Sequence, residues 1–234
     1  VIAVPACVVI GGGADGVYYV RQLRRAAAAG RLECPRVIVV DRRADCEVAA
    51  LPREGDPALE LVVSDWDAWL ADGLDALPAG AHLVPWHWAP HLLKRFLATH
   101  VERAGGRAAP VSGLPPVGTP FDRETREGDR ALSYATWTCP PTCIEPALCP
   151  HTRGPKDWSL VGLLGSGAGM NPAPALVFPC LHLVWGVGTI PVAAILAARD
   201  RVLARLRADP APARWQVGTA SHCHGLLAGL EVSA

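Results

Sequence analysis

The sequence predicts an α/β fold built on a doubly wound, mainly parallel sheet, with a second half rich in cysteine and proline. Two observations carry the sheet. A short apolar run, a glycine loop, an alanine-rich helix and a second apolar run ending in an acid succeed one another between Ala6 and Asp41. Strand-like and helix-like stretches then alternate through residues 59–77 and 81–101, the pattern of parallel strands joined by helical crossovers. The third observation sets the second half apart. Cys139, Cys143, Cys149 and His151 fall inside residues 138–151, with prolines between them.

Composition narrows the functional classes. The chain has 234 residues, half of them hydrophobic, so it can bury a large core and is not a disordered segment. The spacing of motifs divides it into a nucleotide-binding region, 1–106, and a Cys/His-rich region, 107–234. Formal charge balances at zero, which removes the electrostatic argument for nucleic acid as a partner. Arg21, Arg24, Arg25, Arg42 and Arg43 lie among acids. Residues 1–10 are apolar but have no basic lead or cleavage site, so no signal peptide is expected. Residues 175–198 imitate a membrane span, but Pro179, Gly186, Gly188 and Pro191 interrupt them, and lipid would leave such a backbone unsatisfied. The expectation is a cytoplasmic protein with no membrane span. Its eight cysteines then point to metal or redox chemistry before structural disulfides.

In the first half, residues 6–10 form a buried strand that ends in Gly11-Gly12-Gly13-Ala14-Asp15-Gly16. Residues 17–29 read as a helix on the spacing of Val17, Val20 and Leu23, and Gly30 closes it. Residues 36–41 are a second buried strand with Asp41 at its end. In such a unit Gly11 permits a tight turn, Gly13 lets a pyrophosphate approach the backbone, and Gly16 lets the helix pack against the strand. The helix N-terminus offers free N–H groups to the anion. Asp41 lies where a carboxylate can accept ribose hydroxyls.

With Gly11, Gly13, Gly16 and Asp41 so placed, the first third of the chain resembles the Rossmann NAD-binding domains, including those of potassium-uptake regulators of the RCK type. The resemblance implies NAD(H) as first ligand. Arg42 and Arg43 follow Asp41 directly, so the 2′-phosphate of NADP(H) stays open, and S-adenosylmethionine, which binds similar crevices, is a rival. Asp15 departs from a phosphate-binding loop by its charge.

Residues 59–64 give a third strand, 68–77 a short helix and 81–86 a fourth strand. Ligands of such sheets lie beyond the carboxyl ends of the strands, which makes Asp65 a cofactor-binding candidate alongside Trp66, Trp86, His87 and Trp88. Residues 90–101 are a helix with His91 near the same end. Proline and glycine dominate residues 105–128, the expected linker, with one weak strand at 108–111.

The second half holds the thiols. Prolines fix φ and remove donors, so residues 138–151 are a stiff loop. Residues 130–138 and 160–164 read as strands, and 165–171 as a second glycine loop. Residues 175–185 read as a buried strand that projects Cys180 and His182 from one face. Residues 191–207 are a helix, and the tail is strand, tight loop, strand, with Ser221-His222-Cys223-His224-Gly225 at the tip. Three clusters of soft ligands suggest a metal held by Cys139, Cys143 and Cys149, with Cys180 or Cys223 as fourth ligand. The spacings lack the C-x₂-C pair of zinc knuckles, and proline after Cys139 and Cys149 suits an iron–sulfur cluster; zinc remains the alternative, and buried thiols with no metal a third reading. His182 is the candidate catalytic proton carrier.

The resulting expectation is an NAD(P)-linked oxidoreductase with an iron–sulfur or zinc centre. It would act on a small-molecule substrate or pass electrons to a redox partner protein, and a homodimer is compatible. The alternatives are a non-catalytic redox or nucleotide sensor and an S-adenosylmethionine-dependent methyltransferase.

Overall fold

The computed structural model describes residues 1–85, 91–140, 143, 145–167 and 173–234. In chain order its elements begin with β1 (Ile2–Ala3), β2 (Cys7–Ile10), α1 (Ala14–Ala28), β3 (Leu32–Glu33), β4 (Arg36–Asp41), β5 (Ala58–Val63), α2 (Trp66–Gly73) and β6 (His82–Val84). There follow α3 (Leu92–Arg103), β7 (Arg107–Val111), β8 (Phe121–Glu124), β9 (Arg130–Ser133), α4 (Leu160–Gly165) and β10 (Ala175–Pro179). The chain ends with β11 (Leu181–Val184), β12 (Val187–Pro191), α5 (Val192–Ala208), β13 (Ala213–Ala220) and β14 (His224–Ser233). Two compact units emerge, residues 1–89 with 182–196, and residues 90–181 with 197–234.

The first unit is organised by a six-stranded sheet in the order β11-β12-β6-β2-β4-β5. β2 runs parallel to both β4 and β6, and β4 runs parallel to β5; β12 is antiparallel to β6. Every residue of β2 is buried, as are Val37, Ile38, Val39 and Val40 of β4. Parallel strands covered on both faces need this unbroken apolar run, which is why their sequences do not alternate. α1 buries Gly16, Val20, Leu23 and Ala26, a stripe at helical spacing that packs in one core with Cys7, Val9, Val37 and Val39. The mixed α/β class and the largely parallel character of this sheet are therefore observed. α1 begins three residues earlier than the apolar spacing indicates, because the Val17 N–H already bonds the Gly13 carbonyl (2.9 Å).

The second half completes that sheet only through β11 and β12. Its other strands form a separate six-stranded sheet, β10-β13-β14-β9-β8, with β7 also paired to β14. Only β10 and β13 run parallel in the described pairings; β14 is antiparallel to β13, β7 and β9, and β9 to β8. The connections explain the change of character. β13 returns as β14 after residues 221–223, and a connection that short can join only antiparallel neighbours. β8, absent from the sequence reading, pairs with β9 around a turn closed by Thr125 and Gly128, the latter at φ +76°.

Two local readings are corrected. Residues 160–164, expected as a strand, are α4: Ser159 caps it by accepting from the Gly162 N–H, and Leu160 and Leu164 are buried four residues apart. A short apolar run does not distinguish the two periods until a cap and a partner choose. Residues 175–185 are not one strand. Cys180 still follows β10, its N–H bonding Ala220 O (2.8 Å), whereas His182 lies in β11, which belongs to the other sheet, so the two do not share a strand face. The span-like residues 175–198 are thus strands and a helix start, and among the described residues no helix is long and apolar enough to cross a membrane.

The second unit buries Leu114, Leu132, Leu160, Leu164, Ala220 and Leu227 together. It also buries charge. The Lys94 ammonium donates to Asp129 (2.5 Å) with the two side chains 10% and 4% exposed. Arg130 donates to Asp122 and to the Leu114 carbonyl.

Candidate functional site

Three of the four glycines in the loop after β2 are each held by a constraint of their own. Gly11 has φ +93°, a region that only glycine enters freely, and its N–H bonds Val40 O (2.9 Å). A Cβ on Gly12 would stand 2.5 Å from Cys46 Sγ. A Cβ on Gly16 would stand 2.2 Å from the Gly11 carbonyl oxygen, so the helix packs directly onto the loop. Gly13 differs from all three. It is the exposed N-cap of α1 at φ −76°, provides no side-chain cap, and has nothing within 4 Å of where a Cβ would be.

Asp41, at the end of β4, ties this loop to its neighbour. One carboxylate oxygen accepts from the Gly12 N–H (2.7 Å) and the other from the Arg43 N–H (2.8 Å). The Gly12 carbonyl in turn accepts from the Val48 N–H (2.9 Å). Asp65, at the end of β5, caps α2 by accepting from the Asp67 and Ala68 N–H groups, and these bonds, the Ala68 one first, hold its carboxyl below the usual range. Arg42 pairs with Asp65 (2.8 Å) and lies over the Trp66 ring at 4.9 Å. Arg43 makes a bidentate pair with Asp45 (2.9 and 3.0 Å). The expected nucleotide residues Gly11, Gly13, Gly16 and Asp41 are thus brought together, with Asp65 at the next strand end. Gly12 and Cys46, which the glycine pattern does not single out, are part of the same support. Trp86, His87 and Trp88 lie outside the described residues.

In the second unit a carboxylate organises the cysteine and histidine loops. Glu145, at φ +51°, accepts from Ser221 Oγ (2.7 Å), the His222 N–H (2.8 Å) and the Cys223 N–H (3.1 Å). The tip of the β13–β14 hairpin is folded over this side chain. The signal for it in the sequence is an acid inside a Cys/Pro-rich stretch.

The thiols respond to that environment. Burial pushes Cys180 up to about 12, and the negative charge of Glu145 adds to it. Burial pushes Cys223 up to about 11, against the Trp158 indole N–H, which donates to its Sγ at 3.4 Å. Burial, then the neighbouring Cys143, raises Cys139. Cys149 is lowered, first by the Thr152 N–H and further by the His151 N–H and the charge of Lys156. Among the described residues no three His, Cys, Asp or Glu side chains form a group that could hold a metal ion. Cys139, Cys143, Cys149, Cys180 and Cys223, the expected ligands, are free thiols. Of these five, Cys223 lies on the tip that bonds Glu145, through its own N–H (3.1 Å).

The histidines are also dispersed. His182 is exposed at the β11–β12 turn, where its Nε2 accepts from the Gly186 N–H (2.9 Å); it braces a turn and belongs to the first unit, whereas Cys180 belongs to the second. His224 Nδ1 pairs with Ser133 Oγ (2.9 Å), and His151 stacks on Trp137 at 4.3 Å. His91, expected near the strand ends, is buried in the second unit and caps α3 by accepting from the Lys94 N–H. Of the second glycine loop, Gly165, Ser166 and Gly167 are seen; residues 168–171 lie outside the described residues.

No curated protein and no solved structure matches the chain. One family, described as the C-terminal domain of an uncharacterized protein (AF_1314_C), matches residues 89–233, a span that takes in Glu145, the hairpin tip and the buried Lys94–Asp129 pair. With well over half of its length inside that match, the chain belongs to the AF_1314_C C-terminal domain family.

Proposed function

We propose that the first unit is a Rossmann-like domain that binds an adenine dinucleotide, NAD(H), at the carboxyl ends of β2 and β4. The single observation that carries this reading is Gly13. Gly11, Gly12 and Gly16 each have a steric or conformational reason internal to the fold. Gly13 has an ordinary φ and open space above it, and it occupies an N-cap where Ser, Thr, Asp or Asn would stabilise the helix more. A residue without a side chain here leaves the first amides of α1 accessible to a pyrophosphate.

The strand order supports the same reading. Going outward from β2, the chain builds β4 and β5 on one side and then returns to place β6 on the other. Crevices at such reversals are where open α/β sheets bind ligands. Gly11, Gly12 and Gly13 emerge from β2 at this end. The Asp41 oxygens each retain a lone pair beyond the bonds to Gly12 and Arg43, so the carboxylate can hold the loop and still accept from ribose hydroxyls. When bound, the nicotinamide would supply or take a hydride. This chain's part is to position it by the loop amides and Asp41.

Titration of the full chain with NADH, followed by nicotinamide fluorescence or calorimetry, tests the reading. Saturable binding is expected, weakened by about tenfold or more in Gly13→Ala, with unfolding changed by no more than about 1 kcal/mol. Undiminished binding in Gly13→Ala, or no binding of NADH, overturns it. Saturable binding of S-adenosylmethionine in place of NADH would establish the methyltransferase-type alternative. Turnover of NADH with an artificial acceptor then separates an oxidoreductase from a nucleotide sensor.

A further inference from the structure

Two arginines directly after the ribose-binding acid would ordinarily announce a site for the 2′-phosphate of NADP(H). The surroundings of Arg42 and Arg43 argue the opposite. Arg42 is held by Asp65 at 2.8 Å and lies over Trp66. Asp65 is itself fixed, because it caps α2 through the Asp67 and Ala68 amides. Arg43 presents Nε and one terminal nitrogen to both oxygens of Asp45, which uses the fork that a phosphate would need. Counted with Asp41, two guanidinium groups face three carboxylates in this corner. A 2′-phosphate would enter a region of net negative charge and would have to displace a carboxylate to reach either arginine.

We infer that Asp45 and Asp65 set the cofactor preference of this site: by occupying Arg43 and Arg42 they make the crevice select NAD(H) and reject NADP(H). The inference rests on the nucleotide reading above and assigns specificity to two residues that need not touch the dinucleotide. Both pairs are exposed to solvent, so each carboxylate acts as an adjustable charge and not as a buried structural anchor.

The test measures dissociation constants for NADH and NADPH by fluorescence titration at low salt, on the full chain and on Asp45→Asn, Asp65→Asn and the double variant. Asparagine keeps the shape, and at position 65 it keeps the helix cap. The wild-type chain is expected to bind NADH more tightly than NADPH by about tenfold or more, and the double variant is expected to narrow that ratio by about tenfold through tighter NADPH binding. Unfolding curves of the variants should superimpose on the parent. Equal wild-type affinity for the two dinucleotides overturns the inference and leaves the nucleotide reading standing. So does a double variant whose NADPH affinity is unchanged. Binding of neither dinucleotide overturns both.

Discussion

Replacing Glu145 by glutamine tests what organises the cysteine-rich half. The carboxylate uses one oxygen for Ser221 Oγ and the Cys223 N–H, and the other for the His222 N–H. Glutamine keeps one acceptor oxygen, so the first two bonds can survive in neutral form, but it turns an NH₂ group toward the His222 amide. Hydrogen bonds to a charged partner contribute about 1.5–3 kcal/mol each, against about 1 kcal/mol for neutral ones. One such bond lost and two weakened gives about 2.5–7 kcal/mol, with the lower end expected because the groups are only partly buried. The conformation at φ +51° costs on the order of 1 kcal/mol and is left without the bonds that enforce it. Urea unfolding, with hydrogen exchange on peptides covering residues 213–233, reads this loss. A second readout is thiol alkylation as a function of pH. Removing a negative charge favours thiolates, so Cys180 and Cys223 should titrate below their values of about 12 and about 11. They should remain above an ordinary thiol, because burial is the larger cause for both. A cost under about 1 kcal/mol with unmoved thiol titration would show that Glu145 is a bystander and that the loops are held by something else.

Three further outcomes are expected. Burial lowers His91 from the ordinary 6.5 to about 3, so the unfolded chain takes up its proton first. The contribution is complete above pH 6.5 and falls away toward pH 3, by at most about 5 kcal/mol at 1.36 kcal/mol per unit; urea midpoints measured across that window should flatten in His91→Asn, and an unchanged slope would remove His91 from the acid response. Gly16→Ala forces a Cβ to 2.2 Å from the Gly11 carbonyl and should cost about 1–3 kcal/mol in thermal unfolding, whereas Gly13→Ala should cost no more than about 1 kcal/mol. Equal costs would mean that α1 is not packed on the loop. Asp129→Asn strands the buried Lys94 ammonium and should cost about 3–5 kcal/mol in denaturant unfolding, most of it recovered in Lys94→Met/Asp129→Leu; a single variant as stable as the double one would contradict the burial of the pair.

The elements read correctly from the sequence are those whose information is local. β4 spans the residues assigned to it because an apolar run closed by Asp41 admits no other reading. The β13–β14 hairpin was legible because residues 221–225 supply a turn between two apolar stretches. The errors fall where the partner decides. Residues 160–164 fit either period, and a cap at Ser159 with burial of Leu160 and Leu164 made them a helix. Residues 175–185 looked like one strand, but the Cys180 N–H extends the pairing of β10 with β13 while β11 pairs in the other sheet. The role of Glu145 was not legible either, because its partners Ser221, His222 and Cys223 lie 76 to 78 residues further along the chain.

The sequence by itself determined the β2–α1–β4 unit, its glycine loop and the acid at the end of β4, because each step is enforced by sterics and periodicity over a few residues. Only the tertiary structure decided that β11 and β12 rejoin the first sheet while β7–β10, β13 and β14 make another. It alone revealed that Asp45 and Asp65 hold the arginines beside Asp41 and that a carboxylate gathers the hairpin tip. Apart from the local Arg43–Asp45 pair, those outcomes depend on which charges and hydrogen-bonding groups meet across long stretches of chain, and a linear pattern of residue types carries no record of such meetings.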